Sequence, residues 1–247
     1  MVELSELMEV VLWEHFNQFM SYILNIETST MQCSVSIAYK GEYIVGKQLL
    51  ANKFIHGEKL HVFIKEILEK IKIKTPDLSA VAVSKGPGSY TGLRIGVAAA
   101  KGICFAQGIP LIGINTLEIM AAPFFNKNEY NYLIPMLDAR RMEVYSAIFD
   151  AKKRYIQKTN AVVLSEKSFF DKVENELCLI IGNGASKFKT LKPKINAHFN
   201  EEHFPSAIDM CDICWNHYKN KNYEDIALFE PYYLKDFQTQ HIKKNKY

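Results

Sequence analysis

Basic residues are missing from the start of this 247-residue chain: no Lys or Arg precedes Lys40, while Glu3, Glu6, Glu9 and Glu14 crowd the first fourteen positions. A secretory signal needs a positive n-region and a transit peptide needs arginines, so both are disfavoured. No apolar run approaches the roughly 20 residues of a membrane-spanning helix, which argues against a membrane partner. Cysteine is sparse, with five scattered residues (Cys33, Cys104, Cys178, Cys211, Cys214). An odd count without a targeting signal suits reduced thiols in a cytoplasm rather than a disulfide framework. Cys211-x-x-Cys214 stands alone, where structural zinc wants four ligands. Neither H-E-x-x-H nor a Ser/His/Asp arrangement is readable. The net charge of +3 is too slight to argue for nucleic-acid binding by itself. With 48% hydrophobic and 23% charged residues the chain reads as an ordinary globular protein of one large or two small domains.

Glycine is scarce except in one place. Seven of the 12 glycines fall between Ser84 and Gly113, and Lys85-Gly86-Pro87-Gly88-Ser89-Tyr90-Thr91-Gly92-Leu93-Arg94 is the centre of that stretch. The apolar run Leu78 to Val83 precedes it and small residues, Gly96 to Ala100, follow, an order that predicts strand, tight loop, helix start. Such a loop frees N–H groups at a helix N-terminus, where anions are favoured. A P-loop would need Lys-Ser/Thr after its last glycine, and Gly92 is followed by Leu93-Arg94. The dinucleotide fingerprint fails by one position, because Gly86, Gly88 and Gly92 are spaced G-x-G-x-x-x-G. Pro87 also removes a donor. The bland alternative, glycines that permit tight strand-to-helix packing, stays open.

Periodicity predicts strands Tyr22–Thr28, Gln32–Tyr39 and Tyr43–Leu50, a helix over His56–Ile71, strand Leu78–Val83, helix Leu93–Gln107, strand Leu111–Ile114 and helix Thr116–Phe125. The second half repeats the pattern with strands Tyr132–Leu137 and Val144–Phe149, a run around Ala161–Leu164, a helix near Glu166–Val173, strand Leu177–Ile181 and a helix near Ile208–Tyr218. This is an α/β chain of two ribonuclease-H-like lobes with a cleft between them. The expected divisions are an N-terminal extension over 1–19, a first lobe over 20–126, a second, degenerate lobe over 127–224, and a segment over 225–247 that returns to the first lobe and ends in a basic tail. Residues 1–19 read either as an upstream extension, with Met20 the natural start, or as a docking helix with a Leu4, Leu7, Val11 stripe. The tail, His241 to Lys246, reads as a solvated terminus or as lysines that meet tRNA phosphates. Glu27 and Asp138 end equivalent strands, where two carboxylates facing a cleft could hold hydrated Mg²⁺ beside phosphates. Their bland reading is as turn residues.

The residues Ile23-Leu24-Asn25-Ile26-Glu27-Thr28-Ser29-Thr30 resemble the first phosphate motif of the actin-like, sugar-kinase and Hsp70 superfamily. Gly86-Pro87-Gly88-Ser89-Tyr90-Thr91-Gly92-Leu93-Arg94-Ile95-Gly96 is similar to the signature of the TsaB family, the dimerisation subunit of bacterial tRNA threonylcarbamoyladenosine synthase. His56-x-Glu58-x-Leu60, Ile109-Pro110, Asp138-Ala139-Arg140 with Glu143-Val144-Tyr145, and Pro231-Tyr232-Tyr233-Leu234 fit in order, so the resemblance runs from about Met20 to Phe237. It implies an actin-like duplicated fold and a non-catalytic partner of the catalytic paralogue TsaD and of the P-loop ATPase TsaE. Together these modify the adenosine beside the tRNA anticodon with a threonylcarbamoyl-adenylate donor. Where TsaD carries H-M-E-G-H, whose histidines ligate its metal, this chain has Thr116-Leu117-Glu118-Ile119-Met120. His56 and His61 cannot substitute, because five residues separate them by about 140° on a helix.

The second phosphate motif, glycine-rich in the superfamily, is here Asp138-Ala139-Arg140-Arg141, and the adenosine glycines shrink to Gly182-Asn183-Gly184-Ala185. The resemblance therefore implies no cofactor held tightly by this chain alone, with ATP and Mg²⁺ used in the assembled complex, tRNA met through that complex, and homodimers in isolation. A degenerate nucleotide site would comprise Glu27, Thr28, Ser29, Gly86, Gly88, Ser89, Thr91, Asp138 and Arg140. The partner interface is expected at His56, Leu60, Phe63, Gly92, Gly96, Ala99 and Ala100, since small residues four apart admit a second helix closely. Packing of that stripe on the domain's own sheet is its alternative. The rival from another class is an active ATP-using kinase or hydrolase acting through Glu27 and Asp138.

Overall fold

The structure, a computed structural model, describes residues 21–53, 55–127, 129–173, 176–191 and 195–235. The expected N-terminal helix and the basic tail lie outside the described residues. The chain opens with β1 (Tyr22–Glu27), β2 (Gln32–Tyr39) and β3 (Glu42–Leu50), an antiparallel meander. Its β2–β3 turn takes φ of 51° at Lys40 and 90° at Gly41, the left-handed pair that two-residue hairpins require. α1 (His56–Lys70) follows and buries Leu60, Phe63, Ile64, Ile67 and Leu68 at helical spacing. β4 (Leu78–Gly86) then adds parallel to β1, α2 (Tyr90–Gln107) crosses back, and β5 (Leu111–Asn115) adds parallel to β4. Gly108 stops α2 at φ 64°.

The second half uses the same wiring: β6 (Tyr132–Asp138), β7 (Glu143–Asp150) and β8 (Tyr155–Val163) form a meander, and β9 (Cys178–Ile181) and β10 (Ala197–Asn200) add in parallel. The two sheets run β3-β2-β1-β4-β5 and β8-β7-β6-β9-β10, the same order twice. The helices differ. α4 (Phe170–Val173) and α5 (Ala185–Thr190) are short, and neither α5 nor β10 was expected from the sequence. β8 begins at Tyr155, six residues before the expected run.

α3 (Thr116–Ala121) joins the halves. Ile119 packs with Ile23, Ala82 and Ile114 of the first sheet. Leu117, Met120 and Ala121 pack with Leu137, Phe149 and Ile181 of the second. Asn115 caps this helix, accepting from Leu117 N at 2.9 Å, and its Nδ2 donates to Thr159 Oγ1 of β8 at 3.1 Å.

The expected boundary at 224 needs moving. The 3-10 turn Ala207–Met210 and α6 (Cys211–Lys219) lie on the first sheet, not the second. Polar residues of β2 hold them: Ser34 Oγ accepts from Ala207 N at 2.9 Å, Ser36 Oγ donates to Ala207 O at 2.7 Å, and Gln32 Nε2 donates to Pro205 O at 3.0 Å. The return therefore starts near Pro205. It continues beyond α6, where Glu224 bridges to Leu111 and Tyr232 N donates to Lys85 O at 2.6 Å. Cys211 and Cys214 are buried free thiols on α6, and burial pushes Cys211 up to about 11.

Candidate functional site

The glycine loop closes on the end of β1. Cβ atoms at Gly88, Gly92 and Gly96 would overlap Ser29 O, Thr28 O and Thr28 Oγ1 respectively. Gly86 has φ 110°, and a side chain there would meet Tyr232 O at 2.9 Å. These glycines are what let the β1–β2 turn sit against the N-terminal turns of α2. Ser89 N donates to Ser29 O at 2.6 Å, and Ser89 Oγ accepts from Gly92 N at 3.2 Å as the helix cap. Two of the donors that could cradle an anion, Ser89 N and Gly92 N, are thus engaged by the protein's own turn and cap, which is the tight-packing reading of the loop.

This corrects the expected interface. His56 donates from Nε2 to Thr30 O at 2.7 Å and, like Leu60, Phe63, Gly92, Gly96, Ala99 and Ala100, is buried. All seven residues face the inside of the first lobe. The outward side of the same two helices carries Val62, Ala98, Gly102 and Phe105, the last 82% exposed. Positions 98, 102 and 105 share one helix face.

Glu27 is fully buried. Its Oε1 accepts from Ser29 N at 2.5 Å, while Oε2, Thr28 Oγ1 and Ser29 Oγ have no hydrogen-bond partner. Burial raises its carboxyl to about 7, assisted by the negative charge of Asp209, itself lifted to about 7 by burial. A sealed carboxyl that burial makes harder to ionise is a poor ligand for a hydrated cation. Asp138, at the equivalent end of β6, is exposed: its Oδ1 accepts from Arg140 N at 2.6 Å and pairs with Lys187 Nζ at 2.5 Å. One carboxylate is thus sealed and the other exposed and paired with Lys187, an arrangement unlike two carboxylates facing one cleft.

The remaining nucleotide-like features are equally filled. A Cβ at Gly182 would meet Met136 O at 2.6 Å, and one at Gly184 would meet Val144 Cγ1 at 2.8 Å, so these glycines serve packing against β6 and β7. Arg140 and Arg141 take φ of 69° and 50°, a left-handed turn built without glycine at a cost of order 1 kcal/mol per residue. Thr91 is exposed. Among the described residues no group of three His, Cys, Asp or Glu side chains gathers as a metal site. Thr116 and Met120 are both fully buried on the helix that joins the two sheets. Two open cavities, about 630 Å³ beside Phe124, Tyr130 and His198 and about 510 Å³ beside Lys85, Glu224 and Leu228, do not reach Glu27 or Asp138.

Sequence reasoning missed Glu118 and Tyr155. Their side chains hydrogen-bond across the halves, and burial raises both groups. The signal for Glu118 was present in its place between apolar neighbours on a short helix.

A family profile described as TsaD, tRNA N6-adenosine threonylcarbamoyltransferase, matches residues 53–236. The tRNA threonylcarbamoyladenosine biosynthesis protein TsaB of Buchnera aphidicola subsp. Acyrthosiphon pisum is 32% identical over 205 residues, covering 81% of this chain and 91% of that one. The chain belongs to the TsaB family. The protein of the same description from Haemophilus influenzae is 28% identical over 226 residues, covering 88% and 94%. Among solved structures, YeaZ from Pseudomonas aeruginosa superposes with a TM-score of 0.74 at 21% identity, covering 87% of this chain and all of that one. That likeness shows a shared fold, two five-stranded mixed sheets with helices. TsaB membership and the filled nucleotide motifs are thus found in one chain. No helix among the described residues is long and apolar enough to cross a membrane.

Proposed function

We propose that this chain is the non-catalytic partner of a TsaD-type subunit in tRNA threonylcarbamoyladenosine biosynthesis. The observation that carries the reading is α3: where the resemblance puts the catalytic paralogue's metal-binding histidines, this chain has Thr116 and Met120, both fully buried, with Met120 packed against the second sheet. Restoring histidines there would break the contact between lobes before it made a metal centre. ATP and Mg²⁺ then belong to the assembled complex, with the TsaE-type ATPase, and tRNA is met through it. Pairing with the TsaD-type subunit, and homodimerisation in its absence, uses the outward face of α1 and α2, where Val62 and Phe105 are exposed. An exposed phenylalanine beside the small residues Ala98 and Gly102 gives apolar area for a helix to cover.

Reconstitution tests this. The chain, a TsaD-type subunit, a TsaE-type ATPase, tRNA, ATP and the threonylcarbamoyl-adenylate donor are combined and tRNA nucleosides are quantified by mass spectrometry. Sustained modification is expected from the full set and is lost when the chain is left out. Transfer by the chain alone, ATP turnover by the chain alone at ordinary enzyme rates, or full modification without it would overturn the reading.

A further inference from the structure

The turn between β6 and β7 carries charge that the fold leaves unmatched. Arg140, Arg141 and Met142 are exposed at its tip. The two carboxylates at its base are already neutralised by cations from other elements: Asp138 by Lys187 of α5, and Glu143 by Lys235 of the returning segment. Among the described residues neither guanidinium has a carboxylate partner. Four cations therefore face two carboxylates, and the excess sits on the two arginines.

The tip is also well fixed. Ala139 N donates to Glu143 O at 3.1 Å, Arg140 N to Asp138 Oδ1 at 2.6 Å, and Asp138 N to Asn183 Oδ1 at 3.0 Å. Beside it Met142 is 42% exposed and Val163 is 73% exposed, and Leu164 N to Met142 O at 2.8 Å ties the two strands together. Planar guanidiniums match phosphate oxygens two bonds at a time. An adjoining apolar patch suits the ribose and base faces of RNA, which an acidic peptide does not present.

We propose that the Arg140–Arg141 tip contacts the phosphodiester backbone of tRNA in the assembled complex. The proposal rests on the tRNA-modification reading above. Residues aligned with a nucleotide-binding motif thus face outward, toward a polyanion. The test is filter binding of tRNA to the reconstituted complex across a salt series, with wild-type chain, the double variant Arg140→Gly/Arg141→Gly and the double variant Arg140→Lys/Arg141→Lys. Glycine suits the left-handed turn, so the first variant keeps its fold and its pairing, checked by circular dichroism and size exclusion. Each lost phosphate contact lowers the log–log salt slope by about 0.7–0.9. The glycine variant is expected to lose about 1.5 units of slope and roughly tenfold in affinity near 0.1 M salt, and the lysine variant to keep most of the slope. Unchanged affinity and slope in the glycine variant overturn the proposal, as does equal competition by polyglutamate, which would assign the tip to an acidic protein segment. The modification assay separates failures: if wild-type chain forms the modified nucleoside but the slope is unmoved, the tip assignment alone is wrong. If it forms none, the functional reading falls with it.

Discussion

The two lobes share one wiring diagram and differ in what covers it. In the first, helices of 15 and 18 residues, α1 and α2, shield one face of the sheet. Their second-lobe counterparts, α4 and α5, have four and six residues. The first lobe keeps the glycine signature, but its glycines hold the β1–β2 turn rather than a ligand. The corresponding turn of the second lobe has no glycine and carries two arginines in left-handed conformation. A duplicated fold can therefore keep its topology in both copies while one copy specialises in long helices with an exposed outer face and the other in exposed charge.

The sharpest way to break the first lobe is at a glycine contact. Gly92→Val drives a branched side chain into Thr28 O, backbone that cannot swing away. A loss of about 3 kcal/mol or more is expected, at the upper end of overpacking effects, read as a large fall in the chemical-denaturation midpoint. A near-wild-type midpoint would show that the turn can move aside.

Next comes the sealed carboxyl. Glu27 titrates near 4.5 unfolded and about 7 folded, so the folded state holds the extra proton between those values. Stability is greatest below about pH 4.5, falls as pH rises to about 7, and is flat above it. At pH 8 the cost is of order 3 kcal/mol. Glu27→Gln keeps an acceptor for Ser29 N and removes that cost. Its gain over wild type should grow from pH 5 to 8 in denaturation experiments, with Asp209 leaving some residual slope. A pH-independent difference would contradict the buried-acid account.

A smaller effect tests the return of the chain to the first sheet. Ser36→Ala removes the donor to Ala207 O and leaves a buried carbonyl unmatched, which costs about 1–3 kcal/mol. The smallest effect has the opposite sign. Gly102 has open space where a Cβ would go, on the exposed side of α2, so Gly102→Ala should stabilise by up to about 1 kcal/mol. Melting temperatures of the two variants should fall on opposite sides of wild type.

Much of this architecture was legible in the chain. Helical spacing placed α1 and α2, which are long and bury one clear face, and apolar runs between turn residues placed β1, β2, β4 and β5, which are buried on both faces. The four-residue β10 and six-residue α5 are too short to show a period. Ser34 and Ser36 alternate along β2 as polar residues, yet they are fully buried, because the partners that satisfy them lie some 170 positions away at Ala207. The spacing of Gly92, Gly96 and Ala100 correctly signalled close approach but could not say of what. The answer, Thr28, comes from a turn that only the folded sheet brings alongside. Glu27 was found by its place at a strand end, and its burial depended on Gly88 and Ser29 closing over it.

On the proposed function, the first lobe turns its small-residue stripe inward and pairs through the opposite side of α1 and α2. Size exclusion of an equimolar mixture with a TsaD-type subunit measures this most directly, using Val62→Asp/Phe105→Asp. Both positions are solvent-exposed, so the circular dichroism and melting temperature should stay near wild type. The variant is expected to elute as a folded monomer and no longer to pair. Full pairing by that variant would contradict it.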